Sequence, residues 1–339
     1  MVERSITPFT PDVPSHFPAM PIPEDNPFSV EGVALGRKLF YDERLSRDNM
    51  VSCATCHKQE AAFSDNNQFS QGIDGQFGNR NSMALINLAW QEHFFWDGRK
   101  NSLEKQILEP VVASHEMDQS WSKTISKLST DQHYNNQFYT VFGVKEFDST
   151  HVAKAIAQFL RTLISGSSKF DVIYKYKNSL PLTSQEQLIF NEITIEEWTG
   201  YDVFNSLEAG DCLHCHNGVL AQVNSFSNNG LDASFEDDPG RMLVTGNPND
   251  AGKFKVPTLR NIELTAPYMH DGRFADLGEV VNHYSTGLVE SPTIDPLMEF
   301  AHQGGVQLDA QERQLLITFL KTFTDQQFIN NPDFQDPNK

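Results

Sequence analysis

No stretch of this chain approaches the roughly 20 consecutive apolar residues that a membrane-spanning helix needs, so a transmembrane protein is not expected. Basic residues are also in short supply. Lys and Arg together number 26 against 45 Asp and Glu, a formal net charge of −19, which argues against nucleic-acid binding through cationic patches. Such acidity suits a solubilising surface and equally suits charge steering of a cationic protein partner. Strand-like alternation of polar and apolar residues is scarce, leaving helices as the main expected element. The start, Met1-Val-Glu-Arg-Ser-Ile-Thr-Pro8, has no basic segment followed by an apolar core, so no signal peptide is visible. Cysteine is rare, with four residues in 339. What remains is an ordinary globular composition, 39% hydrophobic and 21% charged, long enough for two domains.

The four cysteines fall in two short motifs, Cys53-Ala-Thr-Cys56-His57 and Cys212-Leu-His-Cys215-His216. Two thiols one helical turn apart can both reach the vinyl groups of a haem, and a following His meets the iron from one side. A disulfide pair or half of a zinc site uses similar spacing. Two copies, a His after each and no cysteine left over favour two covalently bound c-type haems with His57 and His216 as proximal ligands. Covalent haem attachment is expected outside the cytoplasmic membrane. The chain is therefore expected to be periplasmic or exported, with a leader that this sequence does not contain.

The surroundings of the two motifs resemble each other in order. Gly36-Arg-Lys-Leu-Phe40 precedes the first and Gly200-Tyr-Asp-Val-Phe204 the second. Arg80-Asn81 is matched with Arg260-Asn261, and Phe95-Trp-Asp-Gly-Arg99 with Met269-His-Asp-Gly-Arg273. Leu103 and Leu277 follow at equal spacing. The fold expected is mainly α, with two cytochrome c-like haem domains related by internal duplication. They span 20–180 and 181–308, and the helix at 309–325 is free to pack back on the first. Val152, Ile156, Phe159, Leu160 and Leu163 share one helical face. Thr183-x-x-Glu186 is a capping box opening a helix with Leu188, Ile189 and Ile193. Asp309 and Glu312 open a last helix with Leu315, Leu316, Phe319, Leu320 and Phe323 on a buried stripe. Residues 217–256, rich in Asn, Gly, Asp and Pro, are expected to form a long loop across the second haem.

Aligning the copies on Leu103 and Leu277 places Pro110 and Tyr284 at the same point, seven residues on. A phenolate can coordinate ferric iron and a proline cannot. The first haem is expected to be open and the second closed by Tyr284, with Met269, His270, His283 and Met298 as competing ligands.

These residues resemble the bacterial di-haem cytochrome c peroxidase and MauG family over roughly residues 20–325. The resemblance is carried by the paired haem motifs, Gly78-Asn-Arg-Asn81, Phe95-Trp-Asp-Gly-Arg99, Ser102-Leu-Glu-x-Gln106 and His115-Glu-Met117. In the second unit it is carried by Val256-Pro-Thr-Leu-Arg-Asn261, Leu264-Thr-Ala-Pro-Tyr268 and His270-Asp-Gly272. It implies H2O2 cleavage at the N-terminal haem, with electrons drawn through the second haem from a small redox protein such as cytochrome c. Glu116 would be the acid/base of the peroxide pocket, Gln106 and Pro110 its lining, and Trp96 the relay between the haems. It also implies a calcium ion held by Asn81, Thr265 and Pro267, and relatives that are often homodimers. Two departures point to MauG-like members. Ile73 stands about where peroxidases of this family place a displaceable His, and Tyr284 stands where they place a Met. A His/Tyr haem favours the higher oxidation state. That suits an enzyme using H2O2 to oxidise a Trp or Tyr of a partner protein by long-range hole transfer. A non-enzymatic di-haem electron carrier is the reading from a different class.

Overall fold

The computed structural model describes residues 5–338 and is mainly helical. The first unit contains α1 (Val30–Phe40), α2 (Cys53–Cys56), α3 (Leu103–Val112), α4 (Trp121–Ser129), α5 (Gln132–Phe142) and α6 (Ser149–Leu160). After it come α7 (Lys169–Lys177), α8 (Ser184–Asn191), α9 (Ile195–Asn205), α10 (Met242–Thr245), α11 (Leu277–Thr286), α12 (Ala310–Lys321) and α13 (Gln326–Ile329). The long connection at 217–256 contributes two short antiparallel strands, β1 (Phe226–Ser227) and β2 (Phe254–Lys255), with Phe226 opposite Lys255.

Each unit is built on one close helix crossing. In the first, α1 lies on α6, and a Cβ at Gly36 would sit 1.9 Å from the Ala155 carbonyl oxygen and 3.0 Å from the Phe159 Cβ. In the second, α9 lies on α12, and a Cβ at Gly200 would sit 2.1 Å from the Leu315 carbonyl oxygen and 2.7 Å from the Phe319 Cβ. Glycine is required at both places because the partner atom is backbone, which cannot rotate away. Around the first crossing Leu35, Leu39, Phe40, Val152, Ile156 and Phe159 are buried in one apolar cluster. Around the second, Val203, Phe204, Leu316, Phe319, Leu320 and Phe323 form another.

The helical face read from Val152 to Leu163 is buried throughout. Both capping boxes form: Thr183 Oγ1 accepts from the Glu186 amide, and Asp309 Oδ1 accepts from the Glu312 amide. Three expectations need correcting. The helix of the first box ends at Asn191, so it carries Leu188 and Ile189 but not Ile193. The last long helix does not return to the first unit, because Gly200 lets α12 nest against α9. The chain beyond it returns instead, burying Phe328 and Phe334 against Phe63 of the first core. Finally, α7 precedes residue 180, but Phe170 and Ile173 are buried in the second core, with the Phe170 and Phe323 rings stacked at 4.0 Å.

Candidate active site

Helix α2 holds Cys53 and Cys56 one turn apart, and His57 follows at its C-terminus. The second motif forms a tighter 3-10 turn over Cys212–His214, leading into Cys215 and His216. All four thiols are free. Burial pushes Cys53 and Cys212 up to about 12 and Cys56 and Cys215 up to about 11, so none is set up as a reactive thiolate. Among the described residues no three His, Cys, Asp or Glu side chains gather as a metal site.

The two histidines are oriented alike. His57 Nδ1 donates to the Phe63 carbonyl at 2.9 Å, and His216 Nδ1 donates to the Ala221 carbonyl at 3.4 Å. With Nδ1 bound to backbone, Nε2 carries the lone pair that an iron would take. Burial lowers the pKa of both rings, that of His216 to about 4, so each stays a neutral ligand. The accepting carbonyls also receive a backbone bond from Leu85 and Leu259, each 3.2 Å. Two residues on, Asn87 (φ 53°) and Asn261 (φ 57°) take the left-handed conformation, open a 3-10 turn, and donate to Leu163 and Phe323. This framework shows that Arg260-Asn261 corresponds to Ile86-Asn87 and not to Arg80-Asn81. The shared Arg-Asn dipeptide was a coincidence of composition. Leu103 and Leu277 do correspond, each opening a helix of 10 residues, α3 and α11.

A cavity of about 800 Å³ joins both motifs. Cys56, His57, Cys212, Cys215 and His216 line it, and Cys53 packs against the first core. Its walls are largely apolar, with Leu85, Leu88 and Leu103 on one side and Leu259, Leu277 and Leu316 on the other. Paired thiols, a ring nitrogen left free by the partner of the other, and an apolar slot fit a c-type haem in each half.

Gln106, Pro110 and Glu116 line the first half of the cavity. Gly72 lets the 70–77 loop lie on the 115–116 segment, where the Ile73 amide donates to the Glu116 carbonyl at 2.8 Å. Ile73 itself is buried. The Glu116 side chain is 39% exposed and has His115 Nε2 at 3.5 Å. Burial raises its pKa, partly offset by His115 and Arg99.

Tyr284, eighth residue of α11 as Pro110 is of α3, lines the second half. Burial pushes its phenol up to about 12, and Asn229 Nδ2 donates to its Oη at 3.1 Å. Of the competing ligands, Met269, His270 and Met298 also line the cavity. His283 turns away, with Nε2 on the Asn229 carbonyl at 3.0 Å. His270 is stacked on Phe254 with centroids 3.7 Å apart, and the Met269 sulfur lies 3.4 Å from Asn229 Nδ2.

Trp96 lies at the seam, its indole N–H on the Asn81 carbonyl at 2.9 Å. Asn81 donates through its side chain to the Asn67 and Gln68 carbonyls, which leaves Oδ1 for a cation. Asn81, Thr265 and Pro267 all line the cavity, so calcium there would rest on neutral oxygens. Sequence reasoning missed Asn229, Gln91 and Lys255, which sit in irregular segments with no periodic signal.

Residues 30–179 match the sequence model of the family described as di-haem cytochrome c peroxidase. The cytochrome-c peroxidase IdrP1 of Pseudomonas sp. (strain SCT) is 34% identical, over 91% of this chain and 84% of that protein. The chain belongs to the di-haem cytochrome c peroxidase and MauG family. It is an oxidoreductase of the peroxidase class. The methylamine utilization protein MauG of Methylorubrum extorquens is 33% identical, over 90% of this chain and 81% of that protein. Among solved structures, a MauG-like protein associated with microbial copper homeostasis is 31% identical with a TM-score of 0.84, covering 98% of this chain and 100% of that one. Among the described residues no helix is long and apolar enough to cross a membrane.

Proposed function

We propose that this chain is a di-haem peroxidase that cleaves H2O2 at the N-terminal haem and draws electrons through the second from a small redox protein. The observation that carries the reading is the inequality of two matching positions: Pro110 on α3 and Tyr284 on α11, both on the cavity wall. Cys53, Cys56 and His57 would hold the first haem, whose iron would supply the peroxide-splitting chemistry. Glu116, whose pKa burial raises, would give a proton to the departing hydroxyl and be restored by the proton that the incoming H2O2 loses. Gln106 would orient the peroxide, and Pro110, which has no ligating atom, would leave room for it. Trp96, held by Asn81, stands in the seam as the electron relay. Tyr284 would hold the iron of the second haem, with Asn229 Nδ2 donating to its oxygen. Calcium on Asn81, Thr265 and Pro267 would tie the halves together, and export to an oxidising compartment follows from the haem attachment.

Electron paramagnetic resonance of the resting ferric protein tests the reading. One high-spin and one low-spin haem are expected, and two low-spin haems would overturn the open site. The second reading, oxidation of a partner protein's Trp or Tyr, is favoured by Tyr284, since phenolate ligation suits a haem that shares oxidising equivalents. It predicts reaction with H2O2 from the all-ferric state. Turnover that needs prior one-electron reduction would exclude it.

A further inference from the structure

The seam between the units has an approximate two-fold relation that the haem motifs alone do not reveal. The Asn81 amide of the first unit donates to the His270 carbonyl of the second at 2.7 Å. The Lys255 amide of the second donates to the Trp96 carbonyl of the first, also at 2.7 Å. Asn81 and Lys255 are counterparts, each four residues before the Leu that bonds the histidine's carbonyl acceptor; Trp96 and His270 are counterparts in the paired Asp-Gly-Arg segments. Gln91 and Thr265 likewise each close the 3-10 turn opened by Asn87 and Asn261. By this relation Asn81 and Thr265 on one side of the seam occupy the places of Lys255 and Gln91 on the other.

On the second side the pairing is direct: Lys255 Nζ donates to Gln91 Oε1 at 2.6 Å. Lys255 is 6% exposed and lines the cavity with Gln91 and Trp96. Among the described residues no carboxylate forms an ion pair with it. A buried ammonium ordinarily has an anion or several acceptors around it, and here one amide oxygen is its hydrogen-bond partner among the described residues. Burial alone lowers its pKa to about 7, so it needs an anion beside it to stay fully charged at neutral pH.

We propose that the Lys255 ammonium is a built-in cation, standing on its side of the seam where calcium would stand on the other, and that it pairs with a propionate carboxylate of a haem in the shared cavity. The proposal rests on the haem and calcium assignments above. Lys255 is a positioning residue: it neutralises a buried haem carboxylate next to Trp96 and holds a positive charge near that haem's iron. Gln91 fixes the ammonium from the first unit, so the contact also crosses the seam.

The test is spectroelectrochemical titration of the di-haem protein and of its Lys255→Gln and Lys255→Arg variants, with haem content confirmed first. Loss of the charge in Lys255→Gln should lower the midpoint potential of one haem and leave the other in place, and Lys255→Arg should restore most of the shift. Calcium chelation should act additively with Lys255→Gln, because the two cations lie on opposite sides. Unchanged potentials in a Lys255→Gln protein carrying both haems would overturn the proposal. So would an equal shift in the Gln and Arg variants, which a merely structural role predicts. If Lys255→Gln fails to fold, redox-difference infrared spectra of the unaltered protein with carboxylate-labelled haem serve instead. A propionate that stays ionised is expected, and one that protonates like a solvent-exposed acid overturns the pairing. Failure of the peroxidase reading would be seen separately, in spin states and reaction with H2O2, which neither titration uses.

Discussion

The two halves of this molecule share a scaffold and differ in what it presents. Gly36 against Ala155 and Gly200 against Leu315 set the same helix crossing. Phe63 and Ala221 offer their carbonyls to the same pair of donors, and Ser102 and Asp276 cap matching helices. Against that constancy, the eighth residue of the matching helix is Pro110 in one half and Tyr284 in the other. The residue facing across the seam is Asn81 in one and Lys255 in the other. The matching backbone geometry places different side chains at equivalent points, and on the proposed reading those side chains decide which iron reacts and which cation sits at the seam.

The sharpest way to break the comparison is to make the halves equal. Pro110→Tyr should close the first haem, eliminating the high-spin resonance and the reaction with H2O2 altogether. The reciprocal Tyr284→Met should leave the first haem open and raise the second haem's potential, read by redox titration; an unchanged potential would remove Tyr284 from the iron. Glu116→Gln should slow peroxide consumption by ~10²- to 10⁴-fold while both haems remain attached. Because burial raises the Glu116 pKa, the unaltered enzyme should lose rate as pH rises through that value. The variant should lack this alkaline limb. Gly36→Ala and Gly200→Ala should each cost roughly 1–3 kcal/mol in denaturant unfolding, through overpacking against backbone. Clearly unequal losses would show that one crossing yields more than the other. The smallest effect is expected for Asn229→Leu, which removes one hydrogen bond from Tyr284, ~1 kcal/mol. A weakened phenolate absorption band, with the first haem's spin state unchanged, is the expected signature.

Much of this was legible in the chain because it is local. A Cys-x-x-Cys-His turn, a capping box, or a Leu opening a helix seven residues before a Pro or Tyr needs no knowledge of distant contacts. The errors came from places where local resemblance competed with three-dimensional position. Arg80-Asn81 and Arg260-Asn261 read alike, but Asn87 shares the left-handed turn of Asn261. Helix α8 reads as carrying Ile193, but it ends at Asn191 and rests on α7 through Phe190 and Tyr176, with Leu188 left exposed. The destination of α12 depended on a missing side chain at Gly200, whose meaning appears only when Leu315 is beside it.

By itself the sequence determined the two Cys-x-x-Cys-His turns, the capped helices and the order of the two units, because each is set by spacing along the chain. Only the tertiary structure decided how the units face each other. Lys255 meets Gln91 across 164 residues, and Asn81 meets His270 across the same seam. The reason is that a buried ammonium or amide is satisfied by whichever oxygen packing brings within reach, and no periodicity in the chain encodes that partner.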